Sequence, residues 1–276
     1  VATEIEFKKT RGRPRSADPD KHSGTVQALD RALGLLSDLA RADEKTLTEL
    51  SLKTGMAPST AHRLLVTMQR HGIVAYDETT QNWMVGVEAF RIGSSFVRRM
   101  KVVQAGRPIM RELMEATGET ANLGVADAGE VVFVSQVETH EAIRAFFPPG
   151  TRGPMHASGI GKALLSELPR DSVQRILQKR GLYSFTPKTL TSTDALFADL
   201  NRIRNRGWSV DDEERNIGMR CLAAPIYNEH GEAVAGVSIS GPSVRLSDEK
   251  LGEYGPVVKR AAARITDTIG GRMPQR

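Results

Sequence analysis

The sequence predicts an α+β protein with a small N-terminal helical part, one apolar helix, and a larger C-terminal domain on a mainly antiparallel sheet. Three observations carry that expectation. Residues 25–87 hold three short helical patterns followed by two strand-like runs. Residues 88–104 place large apolar groups at helical spacing. From 105 to 276, hairpin-linked strands are interleaved with clustered helices.

The first 24 residues are polar, lack apolar periodicity and are expected to be disordered in the free chain. They carry a basic run of Lys8, Lys9, Arg11, Arg13 and Arg15. Its core, Arg11-Gly12-Arg13-Pro14-Arg15, looks like the Arg-Gly-Arg-Pro element of minor-groove AT-hooks. There, glycine lets the backbone approach the groove floor while arginines enter its negative potential. A generic basic tail that only adds salt-dependent affinity reads the same residues equally well.

Helix follows helix over the next 50 residues. Val26, Leu29, Leu33, Leu36 and Ala40 recur at three- and four-residue spacing and predict an amphipathic helix. Thr46-Leu47-Thr48-Glu49 has the spacing of a capping box and Gly55 supplies a stop, so a short helix is expected near 47–54. Pro58 suits the first turn of a third helix, with Ala61, Leu64, Leu65 and Met68 inward and Gly72 at its end. The tight Gly55-Met56-Ala57 connection fits a helix-turn-helix. The third helix then turns Ser59, Thr60, Arg63, Thr67 and Arg70 outward, hydroxyls and guanidiniums of the kind that reach bases and phosphates. Ile73 to Tyr76 and Asn82 to Val85, joined by a polar turn, read as a wing.

Phe90, Phe96, Val97 and Met100 predict a further helix over Val87 to Val103. It packs either against a twin, as a palindromic DNA site requires, or against its own second domain. Beyond it, a helix is expected from about Pro108 to Thr117. Strands are expected at Thr120–Asp127, Val131–Val137 and Ile143–Phe147, with Ala128-Gly129-Glu130 as a hairpin turn. Helices near 160–166, 172–179 and 194–206 come next, then strands at 208–210, 221–227 and 233–240, and a closing helix from Ser247 to Ile269.

Bulk properties narrow the class. The net charge of +5 is uneven: residues 1–104 hold 16 Lys/Arg against 12 Asp/Glu, and residues 105–276 hold 22 against 21. The basic excess thus accompanies the helix-turn-helix, where it favours DNA. No run is long and apolar enough for a membrane span, and a single cysteine leaves no internal disulfide framework, so a cytoplasmic protein is expected.

In the second domain, Met155-His156-Ala157-Ser158-Gly159-Ile160-Gly161-Lys162 opens a helix with small residues. Free N–H groups and the positive helix end suit a small carboxylate or phosphate there. A P-loop would need glycine at His156 and Ser or Thr at Ala163, so a nucleotide site is excluded. A later polar cluster comprises Asp211 to Glu214, then Cys221, then Ser238 and Ser240, the two serines sharing a strand face. They read as lining a pocket or as satisfying local backbone, and Cys221, among apolar neighbours, as a buried inert thiol. Cys221 with His156 or His140 has no spacing that demands catalysis, and no Cys/His cluster suggests a metal site or cofactor. A small oxo-acid enzyme with an attached DNA-binding module is the alternative reading.

Taken together, Gly24-Thr25-Val26-Gln27-Ala28-Leu29-Asp30-Arg31-Ala32-Leu33, Leu47-Thr48-Glu49-Leu50, Pro58-Ser59-Thr60-Ala61-His62-Arg63-Leu64-Leu65, the 156–163 run, Gly207-Trp208-Ser209-Val210-Asp211-Asp212-Glu213-Glu214, Cys221-Leu222-Ala223-Ala224-Pro225 and Ser238-Ile239-Ser240-Gly241-Pro242 resemble the IclR family of transcription regulators in the same order. The resemblance implies a winged helix-turn-helix over 25–87, a linker helix over 88–104 and a GAF- or PAS-like effector domain over 105–276, in dimers or tetramers. The chain is similar to the glyoxylate-sensing members of that family. That similarity implies Gly159 and Ile160 backbone contacts to a carboxylate, and Asp211, Cys221, Ser238 and Ser240 around the rest. Ile160 is larger than the residue of the sensing type and is expected to narrow the pocket. Ser59, Thr60 and Arg63 are expected at DNA bases, with Arg11, Arg13 and Arg15 in an adjacent minor groove.

Overall fold

The computed structural model describes residues 25–98 and 100–274; the expected minor-groove arm with Arg11, Arg13 and Arg15 lies outside the described residues. The chain divides into two compact units at Ser94/Ser95.

The N-terminal unit runs α1 (Gln27–Leu39), β1 (Glu44–Thr46), α2 (Leu47–Thr54), α3 (Pro58–Arg70), β2 (Val74–Asp77) and β3 (Asn82–Val85). The capping box forms: the Thr46 side chain accepts from Glu49 N at 3.3 Å, and Glu49 Oε2 accepts from Thr46 N at 2.8 Å. Gly55, at φ 65°, ends α2 in the left-handed region, and Pro58 opens α3. β2 and β3 make the wing hairpin, and β1 adds a third antiparallel strand in the order β1-β3-β2. The polar Glu-Lys-Thr of β1 carries no strand signature; pairing of Lys45 with Trp83 holds it in place. Leu35, Leu39, Leu50, Ala61, Leu65, Val74 and Trp83 form the core. In α1, therefore, Leu35 and Leu39 face inward, whereas the stripe of Val26, Leu29 and Leu33 that announced the helix is exposed.

The single helix expected over Val87 to Val103 is two: α4 (Val87–Arg98) and α5 (Lys101–Thr117), separated where Met100 takes an extended conformation (φ −92°, ψ 91°). α5 also runs straight through Pro108 rather than beginning at it. A proline inside a helix forfeits one backbone hydrogen bond and strains the preceding turn. Here Val102, Val103, Gly106, Ile109, Met110, Leu113 and Met114 are all buried on one face, and that packing outweighs the local penalty.

The C-terminal unit continues with β4 (Thr120–Asp127), β5 (Glu130–Val137), β6 (Arg152–Pro154), α6 (Gly159–Glu167), α7 (Arg170–Arg180), α8 (Thr193–Arg206), β7 (Ser209–Asp212), β8 (Met219–Tyr227), β9 (Ala233–Pro242) and α9 (Asp248–Thr268). The six strands form one antiparallel sheet in the order β6-β5-β4-β9-β8-β7. Ala128 and Gly129, both at positive φ, turn β4 into β5. The strand expected at Ile143 to Phe147 does not form; Arg152–Pro154 takes the sheet edge instead. Ile143 and Phe146 are exposed while Ala145 is buried and Phe147 packs against the core, but Pro148 and Pro149 remove two backbone donors just beyond.

Period-two alternation sorts the two faces of the sheet. Ala121, Leu123, Leu222, Ala224, Val237 and Ile239 share a core with residues of α5 and α9. The intervening positions, among them Cys221, Ala223, Ser238 and Ser240, look the other way, where α6 lies. Ile160 of α6 settles over two glycines: a Cβ on Gly236 would come within 2.8 Å of its Cγ2, and one on Gly124 within 3.2 Å of its Cδ1. The absence of side chains at those two strand positions gives this large residue room.

Candidate functional site

Strand register assembles the site. Asp211 of β7 stands opposite Cys221 of β8, and Cys221 opposite Ser240 of β9; in the neighbouring row Ala223 stands opposite Ser238, and Ser238 opposite Asn122 of β4. Directly paired residues share a face, so these side chains converge beneath the start of α6. The Ser209 hydroxyl donates to Gly159 O at 2.6 Å and ties that helix start to β7. Ser158 caps α6 by accepting from Gly161 N at 3.0 Å, and Lys162 N donates to Ser158 O at 2.9 Å. The N–H groups of Gly159 and Ile160 remain; among the described residues neither meets an acceptor, as expected of the first turn.

A cavity of about 20 Å³, room for roughly one water, lies here. All six expected residues, Gly159, Ile160, Asp211, Cys221, Ser238 and Ser240, line it. So do Ala157 and Ser158 of the helix-opening run, and Phe133, Phe147, Arg215 and Met219, which the sequence did not single out as site residues. Phe133 and Phe147 stack with ring centroids 4.8 Å apart and wall one side. Phe147 belongs to the irregular 138–151 segment, so no periodicity could have placed it. Asn122 extends the polar network, donating to Ser240 Oγ at 3.2 Å and accepting from Gln136 Nε2 at 2.9 Å.

The site is dry. Asp211 is 3% exposed; burial pushes its carboxyl up to about 6, against a hydrogen bond in which Oδ1 accepts from Glu214 N at 2.9 Å. Burial, with Asp211 beside it, drives the Cys221 thiol well above its ordinary value, so it is a neutral wall and no nucleophile at physiological pH. Behind the cavity, fully buried Lys162 donates to Asp199 Oδ2 at 2.8 Å and to Glu214 Oε1. Burial opposes the Lys162 charge, but Glu214 and Asp199 outweigh it and hold the ammonium above its usual range. Burial also pushes Glu214 up to about 7, although Lys162 pulls against it; among the described residues its Oε2 has no hydrogen-bond partner. The signal in the sequence was a lysine inside the apolar run 160–165, with an acidic run at 211–214 to receive it.

A raised carboxyl makes a sign-definite prediction. Asp211 holds its proton to higher pH in the folded than in the unfolded chain, so ionising it weakens the fold as pH rises from about 4 through 6. Asp211→Asn keeps the acceptor for Glu214 N and removes that loss. The melting temperature of the variant relative to wild type is expected to climb between pH 4.5 and pH 7.5. A constant difference across that range would contradict it.

In the N-terminal unit, Ser59, Arg63, Thr67 and Arg70 form one exposed stripe along α3, with Ala61 and Leu65 buried behind; Thr60 sits half-buried at its edge. Among the described residues neither Arg63 nor Arg70 meets a carboxylate. Two exposed guanidiniums and two hydroxyls thus face outward from a helix braced by a wing, an arrangement that fits a major groove.

Comparison with known proteins decides the matter. Residues 28–78 match the IclR helix-turn-helix domain, and residues 94–267 match the C-terminal domain of the bacterial transcriptional regulator IclR. The chain belongs to the IclR family. It is 51% identical to the HTH-type transcriptional regulator BhcR of Paracoccus denitrificans, over 93% of each chain. It is 42% identical to the transcriptional repressor IclR of Escherichia coli, over 95% of this chain and 96% of that one. The crystal structure of Thermotoga maritima IclR superposes with a TM-score of 0.74 at 30% identity, covering 88% of this chain and 98% of the other. As an IclR-family member the protein is a ligand-responsive DNA-binding transcription regulator and not an enzyme. Among the described residues no helix is long and apolar enough to cross a membrane.

Proposed function

We propose that the effector is glyoxylate or a related small 2-oxo acid, with its carboxylate on the N–H groups of Gly159 and Ile160. Asp211, Cys221, Ser238 and Ser240 then surround the carbonyl or its hydrate, with Asp211 accepting from a hydroxyl. The observation that supports this reading is the meeting, in one enclosed cavity, of two unsatisfied helix-start donors with hydroxyls and a buried carboxyl. A volume of about 20 Å³ favours an acid of a few heavy atoms, seated by small side-chain shifts, over an aromatic one.

Ser59, Thr60 and Arg63 are proposed to read bases, with the arm arginines Arg11, Arg13 and Arg15 in the neighbouring minor groove. A second copy is the proposed cover for the exposed Val26 at the N-cap, Leu29 and Leu33 of α1, and for Val87 and Phe90 of α4. Such pairing presents two recognition helices to one DNA face, and a ligand that favours one spacing of them tunes affinity.

Isothermal titration calorimetry with glyoxylate, pyruvate, glycolate and oxalate tests the pocket. One of these acids is expected to bind, and Ser238→Ala or Asp211→Ala to weaken it by about tenfold or more. Binding that survives both substitutions would place the effector elsewhere.

A further inference from the structure

Arg215 stands between two cavities. It lines the small one under α6 and also an outer pocket of about 330 Å³, whose walls include His156, Tyr183 and Phe185. Among the described residues its guanidinium meets no carboxylate; Nη2 makes one long hydrogen bond, to Arg152 O at 3.4 Å. The other arginines of the outer pocket differ. Arg152 is paired with Asp127 and Glu130, and Arg180 with Glu130. The Arg215 charge is felt in the inner cavity, where it draws both the Asp211 carboxyl and the Cys221 thiol downward against the burial that raises them. Space is kept for it by Gly153 of β6, where a Cβ would collide with Arg215 Nη1.

A half-buried guanidinium that pairs with no carboxylate among the described residues, and that lines both the outer pocket and the inner cavity, is suited to bind an anion. We propose that Arg215 is a specificity-determining residue: it meets the acidic effector on its way through the outer pocket and offsets the repulsion between the bound anion and Asp211. This rests on the reading of the inner cavity as the effector site. It adds a charge requirement that the helix-start N–H groups and hydroxyls do not impose.

Calorimetry on the full-length protein with whichever of glyoxylate, pyruvate, glycolate and oxalate binds wild type most tightly tests it. Affinity is expected to follow the charge at position 215. Arg215→Lys stays within a few-fold of wild type, Arg215→Gln loses about tenfold to a hundredfold, and Arg215→Glu loses more. Gly153→Ala, which displaces only the tip of a flexible side chain, is expected to reproduce part of the loss with an unchanged melting temperature. Equal affinities across the charge series, or equal losses in Lys and Gln variants, would overturn the assignment. If Ser238→Ala abolishes binding while Arg215→Gln does not, Arg215 alone is dismissed. If neither matters, or no acid binds wild type, the effector reading falls with it.

Discussion

Arg63→Ala is expected to lose specific DNA binding by at least about tenfold, and to do so without disturbing the fold or the binding of effector. The side chain lies on the exposed stripe of α3, among the described residues makes no ion pair, and packs into no core, so its removal costs the protein nothing internally. A bidentate guanidinium contact to a guanine edge carries about 1–3 kcal/mol of discrimination, and a paired protein loses it at each half-site. Fluorescence anisotropy on DNA upstream of the gene, with a scrambled duplex as competitor, separates the outcomes. Loss of preference with residual salt-sensitive binding is the expected result. A uniform loss across sequences would make Arg63 a phosphate contact, and no loss would remove it from the recognition surface.

The second large effect lies in the interior. Lys162→Met is expected to destabilise the protein by roughly 1–3 kcal/mol, because it strips buried Glu214 of its hydrogen-bond partner and leaves Asp199 with Arg202 alone. The damage should also reach the cavity, since Glu214 N is the donor that holds Asp211 in place. Urea unfolding of the variant measures the loss. Adding Asp199→Asn and Glu214→Gln makes the buried network neutral and is expected to restore much of the stability, less what the Asp199–Arg202 pair contributes. A Lys162→Met variant as stable as wild type would show that the buried pairs contribute nothing net. Failure of the triple variant to recover would put the loss in packing rather than charge.

These two residues show what was legible in the sequence and what was not. Arg63 could be found because α3 announces itself locally: a proline at its first turn, a glycine-ended predecessor and a 3.6-residue pattern that leaves the same side chains outward in any context. The capping box of α2 and the alternation of β9 are equally local, and both formed where the spacing placed them. The pocket residues were named from the resemblance, with alternation putting Ser238 and Ser240 on one face, and the register then makes Asp211, Cys221 and Ser240 neighbours. Lys162 and Arg215 were missed as site elements for the opposite reason. Their meaning depends on partners 37 and 52 residues away for Lys162, whose only local mark is its place in the apolar run 160–165, and on two cavities for Arg215, which nothing local distinguishes from a surface cation. The break at Met100 and the passage of α5 through Pro108 were hidden likewise, because tertiary burial overrode the propensities that govern short segments.

The central claim joins the two units functionally: a small acid in the cavity under α6 changes the affinity of α3 for DNA. The most direct test is anisotropy of wild type and Ser238→Ala on the upstream DNA at fixed salt, titrated with glyoxylate and then with pyruvate, glycolate and oxalate. A shift in DNA affinity with one acid, in either direction, that disappears in Ser238→Ala is the result this account predicts. Sequence-specific binding that no acid changes, or a shift that Ser238→Ala leaves intact, would contradict it.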